Sequence, residues 1–352
     1  MVRLIRVSCS GPGITRTRRP EGFTYVDAAG VRVTDDAILE RIRALVLPPA
    51  WEQVWVCGLA NGHVQATGVD AKGRRQYRYH DAWRLQRDLL KHDRVLDFAA
   101  RLPAARERLR ADLAGNELTR TRVLACAVRL LDLGFFRIGG EQYASENQSY
   151  GLATLLKDHV RVTRAGEIEF EYVGKSGKLW QRSLAEPEVC QVVSALKRRR
   201  SGGPELLAFR EAGRWVDVKS GDINDYLREA TGGDDTAKDF RTWSATVLAA
   251  VGLAVSTNAE SATARRRAVT RVVKEVSEKL GNTPAVCRAS YIDPRIIDLY
   301  ADGSVADLSV LGEGASAGSP AFQGELEAAV LALLREPAQA SRPTGRSRPS
   351  AA

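Results

Sequence analysis

Between residues 159 and 184 the chain changes its period, and that change constrains the fold more than any other feature. Glu167, Ile168, Glu169, Phe170, Glu171 and Tyr172 alternate carboxylate with apolar bulk. A period of two gathers the apolar set on one face of a strand and scatters it around a helix. The flanks supply partners: residues 159–163 read His-Val-Arg-Val-Thr, a turn follows at Arg164-Ala-Gly166, and after Gly174-Lys175-Ser176-Gly177 a return strand runs through Leu184. This predicts an antiparallel β-hairpin region with Lys175 at a tip.

On either side the spacing is helical. Leu85, Leu89 and Leu96, then Leu124, Val128 and Leu131, recur at helical intervals, and Gly134 is a stop signal. Residues 242–250 read as a helix with Arg241 just before its N-terminus, where a guanidinium and helix-end N–H groups would both face an anion. Val269, Val272, Val273, Val276 and Leu280 form an apolar face with Arg265, Arg266, Arg267, Arg271 and Lys274 mostly off it. Gly281 ends that helix, and Thr283-Pro284 are the N-cap and first position of the next, placing Tyr291 about two turns in.

The beginning of the chain is different. Residues 22–34 alternate around Asp27-Ala-Ala-Gly30 as a hairpin, residues 35–47 carry Ile38, Ile42 and Leu45 at helical spacing before Pro48-Pro49, and residues 51–70 read as two strands joined at Asn61-Gly62. The expected class is α+β. A small mixed α/β N-terminal domain occupies residues 1–90. A mostly α-helical catalytic domain with the inserted antiparallel β-hairpin region follows over 91–310. A tail, 311–352, holds a short helix at 326–334 and a basic, disordered end. With 352 residues, 44% of them hydrophobic, there is apolar mass for two cores.

A net charge of +9 suits a polyanionic partner but does not single out nucleic acid. Five cysteines (Cys9, Cys57, Cys126, Cys190, Cys287) stand singly, and none of the four histidines forms a His-Glu-x-x-His set. That argues against a protein-bound metal and for a reducing compartment, so neither metal nor cofactor is expected. No apolar run approaches a membrane span or signal peptide, so the expected location is cytoplasmic, and nucleoid-associated if the polyanionic partner is DNA. Gly174-Lys175-Ser176 matches the end of a phosphate-binding Walker motif, but Glu169 stands where that motif needs glycine and a strand follows where it needs a helix.

The candidate nucleophile is Tyr291, in Leu280-Gly-Asn-Thr-Pro-Ala-Val-Cys-Arg-Ala-Ser-Tyr291-Ile-Asp-Pro294. An isolated tyrosine is usually a core residue, and a phenol, with an ordinary pKa of about 10, is a poor nucleophile at neutral pH. Three cations upstream change the reading: Arg137, set between Phe135-Phe136 and Ile138-Gly139-Gly140, Lys175 and Arg241. Guanidinium groups fork onto phosphate and stabilise the charge that develops on its oxygens, and a lysine can protonate a departing alkoxide. Tyr300 lacks the Asn-Thr-Pro lead-in. In Lys72-Gly-Arg74-Arg75-Gln76-Tyr77-Arg78-Tyr79, cations would neutralise phosphates while Gln76, Tyr77 and Tyr79 meet base edges or sugar.

Six segments resemble the type IB DNA topoisomerases, in the compact form of bacteria and poxviruses: residues 72–79, Phe136-Arg137-Ile-Gly139, Asn147-Gln-Ser-Tyr-Gly-Leu-Ala-Thr-Leu155, Val173-Gly-Lys175-Ser-Gly-Lys178, Asp239-Phe-Arg241-Thr-Trp243 and the tyrosine segment. They occur in the family's order between about residues 54 and 299. The resemblance implies a monomer that clamps double-stranded DNA, with Tyr291 forming a 3′-phosphotyrosine, Arg137, Lys175 and Arg241 as its catalytic partners, and relaxation of positive and negative supercoils without ATP or metal. Asn282 stands where poxvirus and eukaryotic relatives have histidine; an amide can donate to a phosphate oxygen but cannot relay a proton. Where the family opens its post-arginine helix with basic residues, Glu141 and Gln142 precede Tyr143. A tyrosine site-specific recombinase is the nearest alternative, but Arg241 lacks the Arg-x-x-His pattern. A non-catalytic basic DNA-binding protein is the other.

Overall fold

The computed structural model describes residues 3–256, 261–309 and 323–335. The fold is α+β, in two compact units, Met1–Asp93 and Arg94–Ala352. The expected basic, disordered end lies outside the described residues.

In the first unit, strands β1 (Ile14–Arg19), β2 (Gly22–Val26), β3 (Glu52–Val56), β4 (Val64–Val69) and β5 (Arg75–Tyr79) form an antiparallel sheet of order β2-β1-β3-β4-β5. Helix α1 (Asp36–Ala44) is capped by Asp35, whose carboxylate accepts the Ile38 N–H at 3.1 Å, and Ile42 joins Ile14, Val54, Val56 and Ala66 in the core. The expected hairpin over residues 22–34 is only a minor feature. The main partner of β2 is β1, and beyond the turn a single bridge forms between Val26 and Arg32.

Helix α2 (Asp81–Leu113) runs through the boundary between the units, and its expected apolar positions Leu85 and Leu89 are exposed. The second unit continues with α3 (Arg120–Gly134) and α4 (Glu141–Asn147), and then the antiparallel sheet β6 (Val160–Val162), β7 (Ile168–Val173) and β8 (Leu179–Leu184). Ile168, Phe170 and Tyr172 are buried, as their alternation requires. After α5 (Pro187–Arg198) and the ribbon of β9 (Ala208–Glu211) and β10 (Arg214–Asp217), the chain is helical: α6 (Ser220–Thr231), α7 (Ala237–Ala254), α8 (Ala262–Leu280), α9 (Pro284–Ser290), α10 (Pro294–Ala301) and α11 (Glu325–Arg335).

A buried ion network docks α11. Arg106 donates to Asp132 at 2.8 and 3.0 Å and to Glu327 at 2.5 Å, Arg129 reaches Asp132 at 2.6 Å, and the Trp243 indole donates to Glu327 at 2.8 Å. Burial alone would lower the Arg106 pKa and raise that of Asp132. The partners outweigh it, leaving Arg106 raised and Asp132 lowered.

Candidate active site

The candidate site is built around the carboxyl end of α8. Val269, Val272, Val273, Val276 and Leu280 bury its apolar face, and Gly281 then turns left-handed with φ 62°. Gly281 N–H donates to Glu278 O at 3.1 Å and Asn282 N–H to Ser277 O at 2.9 Å, a Schellman ending. A side chain at 281 would be strained by that φ, and its Cβ would lie 2.2 Å from the Trp180 ring. The turn leaves the last carbonyls pointing outward, where the helix dipole makes them partly negative, and three arginines from elsewhere in the chain take them. Arg182 donates to Lys279 O, Arg241 to Leu280 O at 2.7 Å, and Arg137 to Gly281 O at 2.9 Å.

Arg137 follows α3, which ends with Phe135 left-handed at φ 56°. Leu152 N–H donates to Arg137 O at 2.9 Å and Ala153 N–H to Ile138 O at 2.8 Å, so the backbone on both sides of the guanidinium is fixed. This requires Gly139 and Gly151 to touch: a Cβ on Gly151 would lie 2.5 Å from Gly139. Two of the sequence motifs thus interlock to hold one side chain. Its Nη2 also donates to Asn282 Oδ1 at 2.6 Å. Because arginine only donates, the amide oxygen faces it and Nδ2 remains as a buried donor without an acceptor.

Arg241 does not precede its helix. Helix α7 starts at Ala237, where Asp239 accepts from Thr236 N–H at 2.8 Å and Oγ1 at 2.9 Å, so Arg241 lies in the second turn and is 3% exposed. The helix start contributes Ala237 and Lys238 to the site instead. Arg241 joins the ends of two helices, donating to Phe135 O as well as Leu280 O, and its Cζ lies 5.4 Å from the Tyr291 ring centroid.

Tyr291 closes α9 rather than lying within it. Thr283 caps the start by accepting from Val286 N–H at 3.3 Å, and Tyr291 N–H donates to Cys287 O at 3.0 Å with φ −128°. Just beyond, Asp293 N–H donates to Thr246 Oγ1 at 3.1 Å, tying the tyrosine segment to α7. Lys175 is exposed at the β7–β8 tip, where Ser176 and Gly177 both have positive φ. Arg137, Lys175, Arg241 and Tyr291 line one open cavity of about 370 Å³, with Lys238 and Ser149. The buried Ser149 hydroxyl has no hydrogen-bond partner.

Among the described residues the cavity wall carries four cationic side chains, Arg137, Lys175, Lys238 and Arg241, and no carboxylate. Burial lowers the Arg137 pKa, and Tyr291 opposes the shift. Burial and then the like charge of Arg137 bring Arg241 down to about 10, still cationic at neutral pH. The acceptors that Arg137 and Arg241 meet are backbone carbonyls and an amide, so both positive charges remain available to a ligand. No group of three or more His, Cys, Asp or Glu side chains placed to hold a metal occurs among the described residues.

The other candidate residues belong to the first unit. Lys72 and Arg75 are exposed, and the Tyr77 and Tyr79 rings stack 5.9 Å apart at 16°. Arg74, also exposed, and half-buried Gln76 reach back to Asp70: Arg74 donates to it at 2.9 and 2.7 Å and Gln76 Nε2 at 2.8 Å. Arg74 chiefly brings Asp70 down to about 2. In the second unit, Glu141 caps α6 by accepting the Ser220 N–H at 2.8 Å. Lys238, Ser149, Trp180 and Arg182 went unremarked in the sequence. The Thr236-x-x-Asp239 capping box is the signal that would have moved the start of α7 and exposed Lys238.

Buried Arg241 and half-buried Arg137 meet neutral acceptors and share one cleft with a lysine and a phenol, an arrangement with the charge to hold a phosphate. The family model for the eukaryotic DNA topoisomerase I catalytic core matches residues 80–300, and that for the bacterial DNA topoisomerase IB N-terminal domain matches residues 22–70. DNA topoisomerase 1B of Acanthamoeba polyphaga mimivirus is 29% identical over 296 residues, 82% of this chain and 87% of the relative. DNA topoisomerase 1B of vaccinia virus is 23% identical over 265 residues, 73% of this chain and 78% of the relative. The chain belongs to the type IB DNA topoisomerases, enzymes that act on DNA. No helix among the described residues is long and apolar enough to cross a membrane.

Proposed function

We propose that this chain relaxes positively and negatively supercoiled DNA by cutting one strand through a 3′-phosphotyrosine on Tyr291, without ATP or a divalent metal. The observation that carries the reading is the shared cavity of Arg137, Lys175, Arg241 and Tyr291. The phenol oxygen attacks a backbone phosphorus in line and loses its proton to solvent water as the bond to the 5′ oxygen breaks. Arg137, Arg241 and the unpartnered amide of Asn282 hold the charge on the non-bridging oxygens, and Lys175 gives its proton to the departing 5′ oxygen. The new ester keeps the energy of the broken one, so torsion turns the free 5′ end about the intact strand until its hydroxyl reverses the reaction.

The protein acts as a monomer clamped on the duplex, with Lys72, Arg75, Tyr77 and Tyr79 of the first unit on backbone and groove, and Arg74 and Gln76 shaping that loop. The test is incubation with supercoiled plasmid in EDTA without ATP, then denaturant trapping, for wild type and Tyr291→Phe. Relaxation with protein on a 3′ end, lost in the variant, is expected. A wild type that leaves the linking number unchanged contradicts the reading.

A further inference from the structure

Strand β8 carries a charge on its core side. Trp180, Arg182 and Leu184 share one face at period two, and Trp180 and Leu184 are buried. A guanidinium there is costly to desolvate, and burial lowers the Arg182 pKa. Its acceptors are the backbone carbonyls of Lys279, at the end of α8, and of its neighbour Gln181. It also lies 4.5 Å from the centroid of the Trp180 ring, against which Arg137 lies at 5.6 Å. The same indole packs on Gly281. Neither Arg182 nor Asn282 is among the residues of the Tyr291 cavity wall, and the hydrogen bonds of the Arg182 guanidinium go to carbonyls outside it.

We infer that Arg182 and Trp180 are a positioning pair for the reaction: they lock the β7–β8 hairpin onto the carboxyl end of α8 and so register Lys175 against Arg137 and Tyr291. Lys175 sits on an exposed tip, five residues before Trp180. Just before the tip, Tyr150 N–H donates to Val173 O at 2.8 Å and ties β7 to a wall residue of the cavity; a second anchor lies on β8. There Arg182 and Trp180 join β8 to the same helix end that holds Arg137 and Arg241. Tying the acid and the oxyanion donors to one rigid helix end keeps their separation constant, the condition for preorganised catalysis.

This rests on the proposed roles of Tyr291 and Lys175, and the test separates the two. Single-turnover cleavage by the full chain is measured on a duplex with an ordinary scissile phosphate and on one whose 5′ bridging oxygen is sulfur, which leaves without a proton from lysine. Arg182→Ala should cut the ordinary duplex about 10- to 10²-fold more slowly, as a misplaced catalytic group does. Affinity for the duplex should be unchanged, and most of the loss should be recovered on the sulfur substrate. Arg137→Ala should be slow on both. Should Arg182→Ala fold poorly, Arg182→Lys keeps the charge without the fork and should show a smaller loss with the same recovery. Equal loss on both substrates, or wild-type rates from both Arg182 variants, overturns the inference alone. Absence of cleavage by the wild type overturns the proposed function as well.

Discussion

Arg106 and Arg241 are both sunk in the second unit, yet they meet opposite surroundings. Arg106 lies between Asp132 and Glu327, which raise its pKa and neutralise its charge. Arg241 is deeper still, but its acceptors are the carbonyls of Phe135 and Leu280, and its pKa falls. Carboxylates satisfy an arginine and cancel it; carbonyls satisfy its N–H groups and leave the charge standing for a phosphate. The second arrangement is not in itself a mark of catalysis. Arg199 also caps carbonyls, those of Leu196, Glu205 and Leu206, and is not part of the Tyr291 cavity wall. What distinguishes the α8 terminus is convergence, with Arg137, Arg182 and Arg241 on three successive carbonyls.

The contrast breaks most visibly in the ion network. Arg106→Ala leaves Asp132 and Glu327 without their main partner and should cost about 3–5 kcal/mol of stability, read by denaturant unfolding, while the folded fraction cuts DNA at the wild-type rate. A loss of rate without a loss of stability would erase the distinction. The network also sets an acid limit. The lowered Asp132 pKa contributes stability above the ordinary carboxylate range that is lost as pH falls through the folded value, so Asp132→Asn should flatten this part of the acid unfolding curve.

The mirror-image result is expected at the cavity. Arg137→Ala or Arg241→Ala should slow single-turnover cleavage by about 10²–10³, roughly 2.7–4 kcal/mol of barrier. Stability should change far less than in Arg106→Ala, because a desolvated cation is removed along with its hydrogen bonds. Gly281→Ala comes next: a left-handed alanine costs about 1–2 kcal/mol before the Trp180 contact is counted, and cleavage should slow with it because Asn282 and Arg137 move. A Gly281→Ala protein with full activity would show that the α8 ending does not position the site. The smallest effects belong to the first unit. Lys72→Ala or Arg75→Ala should weaken duplex binding alike for all sequences and lower the salt slope by about one ion, whereas Arg74→Ala should act through the Asp70 turn and leave that slope nearly unchanged.

Much of this was legible along the chain. The valine face of α8, its glycine stop and the Lys175 tip follow from local periodicity and turn chemistry, which a single sequence carries directly. Strand β1 escaped because Thr15, Arg16, Thr17 and Arg18 present no apolar alternation, and only Ile14 is buried. The start of α7 was placed late because the apolar run from 242 hid the capping residues before it. That Arg74 and Gln76 both reach Asp70 was not legible, since nothing in the motif shows it. Arg182 was invisible for a different reason: its acceptor lies 97 residues away, and only the folded chain brings strand and helix end together.

The central claim is that Tyr291, beside arginines whose charge is left uncancelled, becomes bonded to DNA. The most direct test is to trap the enzyme on a short duplex whose cut fragment diffuses away, digest the adduct with a protease and sequence the modified peptide by mass spectrometry. The account predicts a 3′-phosphoryl nucleotide on the oxygen of Tyr291. A nucleotide on Tyr300 or any other residue, or a link through the 5′ end, would contradict it.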